Sequence, residues 1–113
     1  MPAGLTPAVF HILLALMSGE RHGYGVMKDV FDHSEGEVKL GPGTLYGTLQ
    51  RLIESGWVVE APRAGPKTVA GRTRRYYRIT SKGRDALDGD IARIESLMRA
   101  IRSIKEPTRG SRS

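Results

Sequence analysis

The chain has 113 residues, with 18 Lys and Arg against 12 Asp and Glu for a net charge of +6, and no cysteine. A chain this short makes one domain with a small core, to which self-association adds stability, and the lack of cysteine excludes disulfides and thiolate metal sites and fits a reducing compartment. The apolar run Ala8 to Met17 is too short to span a bilayer, contains His11 and has no basic residues before it, so the expectation is a cytoplasmic chain with no membrane partner.

The charge is unevenly placed. Residues 1–56 hold four Lys/Arg and six Asp/Glu, net −2; residues 57–84 hold eight and one, net +7; residues 85–113 hold six and five, net +1. A segment this one-sided favours a polyanion over a merely solvated face.

Thr6 followed by Pro7 reads as an N-cap and first helical residue. Val9, Ile12, Leu13 and Leu16 then form a stripe that Phe10, Leu14 and Met17 widen until the helix is apolar nearly all round, and Ser18 and Gly19 end it. Such a helix needs cover on more than one side, from its own subunit or from a partner. A second helix is expected from about Tyr24 to His33, with Tyr24, Met27, Val30 and Phe31 as its core face, Gly23 and Gly25 at its entrance and Gly36 closing it.

The third helix is the most informative. Gly41 serves as its N-cap, Pro42 takes the first helical position, and Gly56 stands where a C-terminal cap belongs. Leu45, Leu49, Leu52 and Ile53 lie on one stripe that faces a core. The opposite face carries Gly43, Gly47, Gln50 and Glu54, flanked by Thr44, Tyr46, Thr48 and Arg51. Each glycine inside a helix costs about 1 kcal/mol relative to alanine, so an exposed pair calls for close approach by something large. Gln, Arg and Thr hydrogen-bond base edges and phosphates, which suits a helix lying in a DNA major groove; an ordinary amphipathic helix with two tolerated glycines is the alternative.

After Gly56 the period changes from helical to alternating. Trp57 to Ala61 reads as a strand and Thr73 to Thr80 as a second, with Arg75, Tyr77 and Ile79 on one face and Arg74, Tyr76 and Arg78 on the other. The intervening Pro62 to Arg72 holds three Lys/Arg and suits a β-hairpin wing on a phosphate backbone or in a minor groove. Thr80 is a natural N-cap for a last helix that runs to about Lys105 before Pro107. In it Leu87, Ile91, Ile94, Met98 and Ile101 are spaced 4, 3, 4 and 3, a heptad seam that Leu97 and Ile104 widen. At about 36 Å this helix is longer than its own core needs, which marks an interaction surface.

Three separated motifs, HGYG at His22 to Gly25, LGPGTLYGTLQRL at Leu40 to Leu52 and RRYYRIT at Arg74 to Thr80, occur in an order that resembles the PadR family of transcriptional regulators. With their helices they extend from about Leu5 to Ile104, and the wing loop is somewhat longer than the family commonly has. The resemblance implies a winged helix-turn-helix, a homodimer of the short form with a single C-terminal dimerisation helix, and repression relieved by a small effector. The fold class expected is mainly α with a small β-hairpin. Residues 1–80 would form the winged helix-turn-helix DNA-binding region, 81–106 the dimerisation helix, and 107–113 a disordered basic tail.

Other chemistry finds little support. The glycines around Gly41 lack the third glycine of a dinucleotide fingerprint and the strand before it. His11, His22 and His33 lie eleven apart with no cysteine to complete a zinc site, and read as incidental. No nucleophile, histidine and carboxylate stand at a recognisable motif spacing, so no enzyme and no cofactor are expected. Trp57 can stack on a planar effector, but a tryptophan opening a wing strand is more often core.

The expected DNA contacts are Thr44, Tyr46, Thr48, Gln50 and Arg51 for recognition, Gly43 and Gly47 for close approach, and Arg72, Arg74 and Arg75 for the wing. The expected dimer contacts are Leu87, Ile91, Ile94, Leu97, Met98 and Ile101. The partners are double-stranded DNA bearing a pseudo-palindromic operator, a second copy of the chain, and a small apolar or aromatic effector, for which Phe10, Met17 and Met98 are candidate lining. The alternative function is a winged-helix module that binds protein.

Overall fold

The computed structural model describes residues 4–61 and 75–105. Its elements run α1 (Pro7–Met17), β1 (Arg21–His22), α2 (Gly23–His33), α3 (Pro42–Glu54), β2 (Val58–Glu60), β3 (Tyr76–Ile79) and α4 (Ser81–Lys105). The segment 62–72 between the strands, with Arg72, and beyond it Arg74 and the 107–113 tail, lie outside the described residues.

The helix starts follow the capping chemistry written in the sequence. The Thr6 hydroxyl accepts from the Val9 N–H at 3.2 Å, with Pro7 in the first turn. Gly41 and Pro42 open α3, and Gly56 ends it at φ +81°, a left-handed conformation that favours glycine. Thr80 does more than cap. Its hydroxyl accepts from the Gly83 N–H at 3.0 Å and donates to the Gly56 carbonyl at 2.6 Å, so one side chain starts α4 and binds it to the end of α3. Replacing Thr80 by alanine is expected to lower stability by about 1–2 kcal/mol, because a cap and a tertiary hydrogen bond go together; chemical denaturation checks this, and a loss under about 0.3 kcal/mol would contradict it.

The core is one cluster centred on α1. Ile12, Leu13 and Leu16 of α1, Val26 and Val30 of α2, Leu45, Leu49 and Leu52 of α3, Val58 of β2, Tyr77 and Ile79 of β3 and Leu87 of α4 are all buried. Trp57 packs at its edge as a partly buried residue, which is the core reading of that tryptophan. Gly83 sits so close beneath the Trp57 carbonyl that a Cβ there would collide with it, fixing α4 against the start of β2.

Three features differ from the sequence reading. The hairpin has a third strand: β1 pairs antiparallel with β3 through Arg21↔Tyr77 and His22↔Tyr76, giving the order β1-β3-β2. The core face of α2 is Gly23, Val26 and Val30, with Met27 at its edge, while Tyr24 and Phe31 are exposed. Small and β-branched residues let α2 pack tightly on α1 and turn the two rings outward, where Phe31 closes over the Gly36 turn. The third difference concerns α4. Leu87 is fully buried within the subunit and Ile91 packs against the same core, so Leu87 does not belong to an exposed seam. The residues from Ala92 to Lys105 are all exposed.

Candidate nucleic-acid interface

The helix-turn-helix is α2 and α3, and the wing springs from β2 and β3. In the outer face of α3 the structure brings together Gly43, Thr44, Tyr46, Gly47, Gln50 and Arg51, all exposed. Thr48 is not with them. It is 3% exposed, because its position falls between Leu45 and Leu52 on the buried stripe, and its hydroxyl accepts from the Arg51 guanidinium at 3.4 Å. Thr48 therefore belongs to the packing of α3 and holds Arg51 from below.

The glycines of this face are unusual in having nothing to accommodate. A Cβ built on Gly41, Gly43 or Gly47 would meet no atom within 4 Å, and none of the three has the positive φ that excludes a side chain. Contrast Gly23, where a Cβ would run into the ring and hydroxyl of Tyr46. Tyr46 is thus half exposed beside the outer face of α3 and at the same time seated over the entrance of α2, where it limits how the two helices pack. Gln50 donates to Glu54 at a long 3.4 Å in the open, a contact that water or another partner readily replaces.

His22, to which its spacing in the sequence gives no role, caps α2. Its Nδ1 accepts from the Gly25 N–H at 3.1 Å, and its ring stacks near Tyr24 and meets Tyr76 edge-on. Histidine as a cap has no strong sequence signal, so spacing alone does not reveal it. His11 is partly buried, its Nδ1 has no hydrogen-bond partner among the described residues, and burial, with a smaller effect of His33, holds its pKa below the ordinary value.

At the base of the wing the described arginines stand in ion pairs. Arg75 is exposed where the chain enters β3, and its Nε lies 3.5 Å from a Glu60 carboxylate oxygen. Arg78 meets Glu20 at 3.1 Å and Arg21 meets Asp29 at 3.2 Å. Tyr77, paired in register with Glu60, has its phenol pushed up by burial and then by the nearby Glu60 and Tyr46, with Arg75 acting against them. Elsewhere, an open groove of about 390 Å³ is lined by Tyr24, Met27, Lys28, Phe31, Lys39 and Leu40, a set that includes none of Phe10, Met17 and Met98.

On α4, the side chains expected at a dimer seam divide at Ile91. Leu87 and Ile91 serve the subunit core, whereas Ile94, Leu97, Met98 and Ile101 stand exposed, between 36% and 50%, and Ile104 is 81% exposed. Among the described residues no helix is long and apolar enough to cross a membrane.

Known proteins share this arrangement. The model of the PadR-like family of transcriptional regulators matches residues 12–89. Transcriptional regulator Rv3488 of Mycobacterium tuberculosis is 37% identical over 101 residues, 89% of this chain and 88% of its own length. Among solved structures, a PadR-like transcriptional regulator from Bacillus cereus superposes with a TM-score of 0.69 at 21% identity, over 88% of this chain and 92% of its own. A PadR family transcription regulator from Clostridium difficile does so with a TM-score of 0.68 at 20% identity, over 88% and 98%. With a family model covering more than half its length and a relative above 30% identity that matches along most of both chains, this chain belongs to the PadR-like family of transcriptional regulators, a family of regulators and not of enzymes.

Proposed function

We propose that this regulator is a homodimeric repressor that binds a pseudo-palindromic operator, with α3 of each subunit in a major groove and the wing on the flanking backbone or minor groove. The observation that carries the reading is the outer face of α3, where Gly43 and Gly47 are exposed, have normal φ and serve no contact within the chain. Such positions each sacrifice about 1 kcal/mol of helix propensity. They make sense when a surface outside the chain comes closer than a methyl group allows, and Thr44, Gln50 and Arg51 beside them have the donors that base edges and phosphates accept.

The net charge of +7 on residues 57–84 supports a polyanion as that surface. The exposed strip from Ile94 to Ile104 supports a second copy of the chain as the partner of α4. Two reading helices related by a two-fold meet half-sites about 34 Å apart, and repression follows when that site overlaps a promoter. An apolar or aromatic effector relieves repression only by favouring a dimer in which the two α3 helices stand at another separation.

The test is the ratio of affinities for genomic fragments selected by the protein and for random duplex, at physiological salt. A ratio of about 10³ or more, centred on an inverted repeat, is expected. A ratio near one, unchanged by addition of candidate small molecules, would instead favour the protein-binding module.

A further inference from the structure

Glu60 is the only acidic residue among the eight basic ones of residues 57–84. It ends β2 directly opposite Tyr77, and the Ala61 N–H bonds the Tyr76 carbonyl at 2.7 Å just beyond it, so its carboxylate stands where the two strands leave for the wing. There it meets Arg75 Nε at 3.5 Å, with 71% of the arginine side chain exposed and 35% of the glutamate.

The pair adds little to the fold. Arg78 with Glu20 and Arg21 with Asp29 tie separate parts of the chain together, but Glu60 and Arg75 join two strands whose register the ladder already sets. An ion pair this exposed contributes at most about 1 kcal/mol. Glutamate is also a poor strand residue, and one facing a polyanion is repelled by it. At that position the carboxylate stands within ion-pair distance of the Arg75 guanidinium.

We infer that Glu60 sets the strength of backbone binding by competing with DNA phosphate for Arg75. This rests on the DNA-binding reading above. Phosphate contacts carry no sequence information, so the effect falls equally on operator and on random duplex. Its consequence is a lower hold on the excess of random DNA, which leaves more of the protein free to search.

The experiment measures affinity for a random duplex as a function of salt for the parent chain, Glu60→Gln, Arg75→Ala and the double variant. Glu60→Gln is expected to bind about threefold to tenfold more tightly near 0.1 M salt, with a log–log salt slope steeper by about 0.9, the increment for neutralising one more phosphate. In the Arg75→Ala background the same substitution should change affinity by less than about twofold, since the competitor then has nothing to withhold. An unchanged or weaker Glu60→Gln, or an improvement of equal size without Arg75, overturns the inference while leaving DNA binding intact. A parent chain that binds no duplex in a salt-dependent manner overturns the DNA reading itself. Thermal melting of each variant within about 4 °C of the parent confirms that folding is not the variable.

Discussion

A chain carrying Leu97→Glu and Ile101→Glu is expected to sediment as a folded monomer and to bind operator DNA at least about a hundredfold more weakly than the parent. Both side chains are about half exposed in the single subunit and touch none of its core, so the substitutions leave the fold alone. In a dimer packed along α4 they bring four carboxylates into an apolar seam, where unpaired charge is strongly disfavoured. Each half-site then binds singly, and the gain of about 10²–10⁴ that linkage confers on two weak contacts disappears. Leu87→Ala should do the reverse. It empties a fully buried site and is expected to cost about 2–5 kcal/mol of subunit stability, visible as a lower denaturation midpoint. If the double glutamate variant remains dimeric by sedimentation, α4 is not the interface.

The second large effect pairs two opposite signs. Gly47→Ala should stabilise the protein by about 1 kcal/mol, because the added methyl meets no atom within 4 Å and the residue lies within α3 at an ordinary helical φ. The same methyl is expected to weaken operator binding by about tenfold or more, by holding α3 away from the base edges it reads. Denaturation and operator titration on one preparation test both halves. A more stable variant with undiminished affinity would mean that the outer face of α3 does not approach DNA closely. No simple unfolding artefact produces this combination, since damaged protein loses both properties together.

The sequence is most legible where several independent signals agree. The bounds of α3 rest on Gly41, Pro42 and Gly56 as well as on its apolar stripe, and β3 shows the alternation that buries Tyr77 and Ile79 while Arg78 points outward. Where one signal stands alone it misleads. A two-residue strand such as Arg21–His22 is too short to show any period, and only its pairing with β3 defines it. On α2 the bulky rings of Tyr24 and Phe31 suggest the core side, but the buried face is the smaller one formed by Val26 and Val30, with Gly23 under the ring of Tyr46. The hydroxyl of Thr48 suits a reading face, although its position on the helix lies within the buried stripe.

The case of α4 is different, because no local signal divides it. Leu87 and Ile91 continue into Ile94, Met98 and Ile101 with an unbroken heptad spacing, and nothing in that spacing says where the rest of the subunit stops. The change from core to exposed strip is a property of the neighbours. It falls just after Asp90, the last buried position of the helix, whose carboxylate is held by Arg93 at 3.0 Å. For Arg72 and Arg74, which lie outside the described residues, a role on DNA is proposed from charge and resemblance.

The hydroxyl of Thr80 has a mechanical consequence. It clamps the foot of α4 to the Gly56 carbonyl just beyond α3, and Gly83 presses the same foot beneath Trp57, so α4 is joined to the end of α3 at two points. The exposed arm beyond, the fourteen residues from Ala92 to Lys105, is about 21 Å long. Turning such an arm by about 5° carries its far end through about 2 Å, a displacement comparable to the rise between neighbouring helical residues. In a dimer joined along these arms, a small change in their crossing angle is therefore levered into a changed spacing between reading heads, without any need for the core of either subunit to yield.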